Sequence, residues 1–369
     1  MRLHRLLDPL LFGLPALTGR AGPARGVLLV SAGGLGDTVL FARVVERFAA
    51  LAERGEPVTV LLRADAARMA FVFPPGVGVE AVDFHRLRQP AYRRRLFARL
   101  YRAHYRLVVH TDYLRHPDLD EALVAAARAS DTAAMEPRPS PKHGRRLEAN
   151  RRLYRRLFDS GPQVQDKVLR WARFADFLTG RPLPPPVLPL PAETLPPPAA
   201  LPAPTAVFQP FSAVAAKQSP PALWRAVVAA LPAGWQVRIA GHPSDLDRNP
   251  DYRPLLEIPG VAFEPAPFNA LAPILRAARL VISVDTACMH LEAVLGTPTL
   301  CLASAAYVGE IVPYDPAILP ANLRVLRTDP DCRGCLGACR FPLEGGLYPC
   351  VAALDPAAVI AAVSALAAP

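Results

Sequence analysis

Residues 181–205 read RPLPPPVLPLPAETLPPPAALPAPT, and eleven of these 25 residues are proline. Proline lacks the amide donor and fixes φ, so the stretch is excluded from a helix interior or a central strand. An extended, semi-rigid linker is the expectation. It divides a chain of 369 residues, long for one hydrophobic core.

On each side, apolar runs of strand length alternate with amphipathic stretches. The first half offers strands in GVLLV, PVTVLLR, VGVEAVDF and YRLVVHTD, with a helix in DTVLFARVVERFAALAERG that ends at Gly55. The second half repeats the alternation with AVFQPF, WQVRIAGH, LVISVD and TPTLCLAS. Alternation of this kind predicts parallel sheets wrapped by helices, hence an α/β class with two doubly wound, Rossmann-like domains. Ligands of such sheets bind at the carboxyl ends of the strands, so two similar domains are expected to face each other across a cleft. The expected division is an extension at 1–24, a first Rossmann-like domain at 25–180, a linker at 181–204, a second Rossmann-like domain at 205–354 and a closing helix at 355–369.

The apolar stretch LLDPLLFGLPALTG in the extension is broken by Asp8, Pro9 and Pro15. It is too short and interrupted for a membrane span or a signal-peptide core, and is a candidate for lying on a membrane surface or for packing against the first domain. The formal charge is +10, with only three lysines among 42 basic residues. That bias reflects composition more than function. The clustering is more informative: 92–106 (YRRRLFARLYRAHYR) and 145–158 (RRLEANRRLYRRLF) read as basic helices with apolar faces. They suit a membrane surface or a phosphorylated glycan, or are solvated helix faces; no nucleic-acid motif accompanies them.

After the first strand comes Gly33-Gly34-Leu35-Gly36-Asp37. A dinucleotide fingerprint needs a third glycine, missing here, and Asp37 would repel a pyrophosphate at the helix N-terminus. This counts against a nicotinamide-type oxidoreductase. Two readings of Asp37 remain: an N-terminal helix cap, or a general base served by glycines that admit substrate. In the second half, LVISVDTACMHLEAVLGTPTL sets Asp285 and Thr286 at a strand's carboxyl end, with His290 in the following helix. Free amides there suit a diphosphate or sugar. His290 is alternatively a packed core histidine. Lys217, in a loop before a helix, is a phosphate partner or a solvated surface lysine. His110 and Asp112, at the carboxyl end of the LVVH strand, are further site candidates. Asp118-Leu119-Asp120 lacks the surroundings of a metal-binding Asp-x-Asp and is read as surface acid.

Gly34-Leu35-Gly36-Asp37, Ser212 with Lys217, and Asp285-Thr286 with His290 followed by Gly296-x-Pro298 together resemble the heptosyltransferases of glycosyltransferase family 9. The resemblance runs from Val27 to Ala361; AGHPSD (240–245) fits only loosely. It implies a GT-B fold and inverting transfer of a sugar, usually from ADP-heptose, to a lipopolysaccharide-core, other glycan, lipid-linked or protein acceptor. By position it makes Asp37 the base, with Gly34, Gly36, His110 and Asp112 on the acceptor side. Ser212, Lys217, Asp285, Thr286, Ala287 and His290 then serve the donor, with no catalytic metal. Ala287 stands where the family usually has glycine, and its methyl narrows backbone approach to a ligand. A non-catalytic carbohydrate-binding protein of the same fold is the rival from another class.

Cys332-x2-Cys335-x3-Cys339-x10-Cys350 has the spacing of a four-thiolate structural site for zinc or iron. Four reduced structural or surface cysteines are the alternative. Some members resembling autotransporter heptosyltransferases carry an iron-binding motif of this type. Cys288 and Cys301 fall in apolar helix and strand contexts. The expected location is the cytoplasm, with contact at the inner membrane face.

Overall fold

The computed structural model describes Asp8, residues 19–20 and residues 22–368. The candidate interfacial stretch therefore lies, Asp8 apart, outside the described residues. The chain forms two compact units, one of residues up to 163 with 168–184, the other of 164–167 with 185 onward.

The first unit is built on a sheet of β1 (Val27–Ser31), β2 (Val58–Arg63), β3 (Val77–Val82), β4 (Leu107–His110), β5 (Asp131–Met135) and β6 (Arg156–Phe158). Their order is β3-β2-β1-β4-β5-β6 and every pairing is parallel. All five residues of β1 are buried, as a strand covered on both faces requires. Short β5 and β6 carry no continuous apolar run, and the sequence reading has no strand at either. The second basic stretch, expected as one helix, is instead divided between a helix at Gly144–Asn150, a 3-10 turn and β6. The helix expected to reach Gly55 is also divided, into α1 (Leu35–Ala42) and α2 (Val45–Ala49). The break gathers Phe41 and Phe48 with their ring centroids 5.5 Å apart, against Trp171 and Phe174 respectively. The first basic stretch does form a helix, α3 (Pro90–Ala103), burying Leu96, Phe97 and Leu100. Arg93 is buried there too, paired with Asp8 at 2.6 Å.

The second unit repeats the design with β7 (Thr205–Gln209), β8 (Gln236–Ala240), β9 (Val261–Glu264), β10 (Leu280–Val284), β11 (Thr299–Leu302) and β12 (Leu323–Leu326). The order β12-β11-β10-β7-β8-β9 is the same winding, again parallel throughout. Its core joins Phe208, Trp224, Ile239 and Ile282 to Val359 and Val363 of the final helix, Pro356–Ala367. The proline-rich stretch holds one 3-10 turn, Ala192–Thr194. From residue 185 it lies along this unit: Leu190 N–H donates to Val294 O (2.7 Å), Ala199 N–H donates to Pro273 O (2.9 Å), and Leu188 is fully buried. The few residues between prolines thus supply the bonds and the apolar contact.

In each sheet the chain winds outward from a central strand, then returns to that strand's other side. The reversal falls between β1 and β4 in one unit and between β7 and β10 in the other, which is where doubly wound sheets bind ligands.

Candidate functional site

In the first unit the loop after β1 meets the loop after β4. Gly34 caps α1 in extended conformation, and Asp37 in the first helical turn accepts its N–H on Oδ2 at 2.9 Å. Thr38 Oγ1 donates to Gly34 O at 3.0 Å. The acid also meets the positive end of the helix. At Gly33 a side chain has no room: a Cβ would lie 2.5 Å from Asp37 Cβ and 2.9 Å from its Oδ2. That glycine exists because the Asp37 side chain fills its place. Gly36 sits in the first turn of α1. Asp112 Oδ2 accepts the Ala32 N–H at 2.5 Å, tying the two loops together. His110 is fully buried; its Nδ1 accepts from Asp112 N–H at 3.2 Å, so the neutral ring carries its proton on Nε2. Nε2 lies 3.2 Å from Asp120 Oδ2 without hydrogen-bond alignment. Asp118 and Asp120, read from sequence as surface acids, are buried: Asp118 pairs with Arg146, and Asp120 accepts the His116 N–H at 2.7 Å. The loop after β4 turns its His116 amide onto Asp120, and Arg146 reaches Asp118 from the helix after β5.

In the second unit the corresponding loops follow β7 and β10. Ser212 organises the first: its Oγ accepts from Val214 N–H at 3.2 Å and its carbonyl from Gln218 Nε2 at 3.0 Å. Lys217 closes a 3-10 turn, Ala215–Lys217, and is buried rather than solvated. Its Nζ stands 2.8 Å from Asp285 Oδ2 and 4.9 Å from the centre of the Tyr307 ring. The Asp285 contact is an ion pair out of hydrogen-bond alignment, so Oδ2 has no hydrogen-bond partner although buried. Asp285 follows β10 directly, Thr286 is the extended N-cap of the next helix, and Ala287 is that helix's first residue (Ala287–Leu295). Thr286 and Ala287 directly follow Asp285 and are half-buried, and the first-turn amides of this helix have no intrahelical acceptor. His290 Nδ1 lies 2.5 Å from Tyr314 Oη. Burial pushes the Tyr314 phenol well up, so it stays neutral beside the ring.

The same helix buries Glu292, whose carboxyl is pushed up to about 8 by burial and accepts Cys288 Sγ–H at 3.1 Å. Burial likewise pushes the Cys288 and Cys301 thiols up, so both are inert packing groups.

Cys332, Cys335, Cys339 and Cys350 line one cavity of about 690 Å³ with Tyr348 and Phe341. Burial raises the Cys350 thiol, and the three other cysteines raise it further. Among the described residues, no three thiol, imidazole or carboxylate side chains converge as metal ligands. The donor set nonetheless has the softness and number of a thiolate metal site.

Tyr307, Tyr314 and Glu292 were not singled out from the sequence. The signal for the tyrosines was position: both follow the carboxyl end of β11, one strand from the reversal.

Among the described residues, no helix is long and apolar enough to cross a membrane. Residues 132–321 match the family described as glycosyltransferase family 9 (heptosyltransferase). No curated protein matches the chain by sequence. Among solved structures, the chain is similar to E. coli heptosyltransferase WaaC, determined with ADP, at 21% identity and TM-score 0.65. That match covers 94% of this chain and 100% of the other. A family 9 glycosyl transferase from Veillonella parvula gives 16% identity and TM-score 0.66 over 94% and 97% of the two chains. The iron-containing dodecameric glycosyltransferase TibC of enterotoxigenic E. coli gives 16% identity and TM-score 0.51 over 93% and 76%. These likenesses identify the fold as GT-B.

Proposed function

The chain is a member of glycosyltransferase family 9, a glycosyltransferase of the heptosyltransferase kind, and on that premise we propose that it moves a heptose-type sugar, with inversion, from an ADP-sugar to a glycan, lipid-linked or protein acceptor. One observation carries the reading. The buried Lys217–Asp285 pair occupies the ligand-binding reversal of the second sheet, beside the first-turn amides of the following helix. Asp37 occupies the equivalent reversal of the first sheet.

The chemistry assigned to these residues is one displacement. The acceptor hydroxyl oxygen attacks the anomeric carbon as Asp37 takes its proton. The bond from that carbon to the diphosphate oxygen breaks, and the electron pair leaves with ADP. Lys217 and the amides at Thr286–Ala287 receive the developing phosphate charge. Asp285 is the sugar's hydroxyl partner, its carboxylate being held by the Lys217 ammonium at 2.8 Å without an aligned hydrogen bond. His290, held by Tyr314, and Ser212 complete the donor side. Gly34, Gly36, His110 and Asp112 shape the acceptor side, and Gly33 leaves room for the base. Lysine and helix amides supply the leaving-group charge, so no step is assigned to a catalytic metal.

Support for an ADP-sugar comes from WaaC, determined with ADP, and from TibC, determined with ADP-D-beta-D-heptose. Ala287 in the place of the family's glycine makes the sugar itself the feature to test. Cys332, Cys335, Cys339 and Cys350 would hold a structural zinc or iron, which closes all four positions and serves only to tie down the C-terminal segment. The solvent-facing Arg94, Arg95 and Arg102 of α3 suit the anionic groups of an acceptor or of the inner membrane face, which fits cytoplasmic work there.

The test is ADP release from ADP-heptose in single turnover with a heptose-deficient glycan acceptor. Asp37→Asn keeps an oxygen for the Gly34 amide, so it should fold. It is expected to lower the rate by roughly 100- to 10,000-fold. An unchanged rate contradicts the assignment of the base.

A further inference from the structure

Lys217 has three neighbours that hold it, and the donor chemistry uses only one of them. Asp285 lies on one side at 2.8 Å. The Tyr307 ring lies under the ammonium at 4.9 Å, within the range where an aromatic face attracts a cation. The backbone next to the lysine is the third: Ala216 O accepts the Tyr348 N–H at 2.9 Å.

Tyr307 is itself held from the cysteine-bearing segment. Gly334 N–H donates to Ala305 O at 2.9 Å and Leu336 N–H to Ala306 O at 2.7 Å, on the turn that ends at Tyr307. Gly337 lies flat against the phenol: a Cβ there would stand 3.2 Å from Tyr307 Oη. The stretch that carries Cys335 and Cys339 thus forms one wall of the tyrosine, and the tyrosine forms one wall of the lysine. An aromatic face holds an ammonium without offering an acceptor lone pair. The lysine is therefore kept in place while its protons stay available to an arriving phosphate.

We propose that Tyr307 is the positioning residue for Lys217: its ring face presents the ammonium to the donor diphosphate, and the cysteine-bearing segment fixes the ring. The inference rests on the reading of Lys217 as the diphosphate partner.

The test is a double-mutant cycle read by calorimetric titration with ADP, with donor KM and kcat alongside. Tyr307→Leu is expected to weaken ADP binding roughly threefold to tenfold and to raise donor KM more than it lowers kcat. Tyr307→Phe keeps the face and should bind within about twofold of the wild type. Lys217→Ala should weaken binding roughly 10- to 100-fold. In that background Tyr307→Leu should have no further effect, since the ring acts through the ammonium. An equal loss from Tyr307→Leu with or without Lys217, or a Phe variant as weak as Leu, overturns the proposal while leaving the role of Lys217 intact. A Lys217→Ala protein that binds ADP like the wild type overturns the reading of the lysine, and the inference with it.

Discussion

Asp37 is both a cap and, in this account, a base, and one geometry serves both. Its Oδ2 receives the Gly34 amide, which orients the carboxylate at the helix entrance, and Gly33 yields its side-chain volume to it. Gly33→Ala drives a methyl into Asp37 and is expected to cost about 1–3 kcal/mol of stability by chemical denaturation, and to lower turnover as the carboxylate shifts. Glu292 gives a second residue-level expectation. Its ordinary value is 4.5 and its folded value about 8, so folding takes up a proton between those pH values. The contribution of Glu292 to stability therefore falls as pH rises from about 4.5 to 8, by on the order of 1 kcal/mol per pH unit, and is constant outside that window. Glu292→Gln removes that dependence: its melting temperature should gain on the wild type steadily from pH 5 to pH 8. A constant difference across that range contradicts a neutral buried carboxyl. Asp37, Lys217 and Asp285 could be singled out in the sequence because each follows a strand and lies at or just before a helix start. Tyr307 and Glu292 were not, since a ring under a cation and burial on every side of a helix are tertiary facts. His110 was legible as the end of a strand, but its burial beneath the loop after β4 was not.

At the level of elements, the long apolar strands were readable and the short edge strands were not. β1, β4, β7 and β10 are continuous apolar runs, whereas β6 is Arg156-Leu157-Phe158 and owes its state to pairing with β5. Arginine counts misled in the same region, because Arg146, Arg151 and Arg156 each face a carboxylate of their own unit. The cysteine segment carries its own expectation. Protein purified under reducing conditions should contain about one zinc or iron per chain by elemental analysis, lost in Cys332→Ser with Cys335→Ser. Metal content unchanged in that double variant contradicts the four-thiolate assignment.

The whole molecule is one design used twice: two sheets of six parallel strands with the same winding, each with its signature residues at the reversal. The proline-rich stretch announced two units from sequence, and the alternation announced their class. What the sequence left open was that the stretch lies along the second unit, through amides at Leu190 and Ala199 set between prolines. The duplication separates duties. In the proposed function, donor phosphates fall to Lys217 and the helix start after Asp285, and the acceptor proton falls to Asp37. Calorimetric titration of wild type, Asp37→Ala and Lys217→Ala with ADP, UDP, GDP and NAD tests this division most directly. The account predicts selective ADP binding that survives Asp37→Ala and weakens strongly in Lys217→Ala. NAD binding, or ADP binding lost with Asp37 and kept without Lys217, would contradict it.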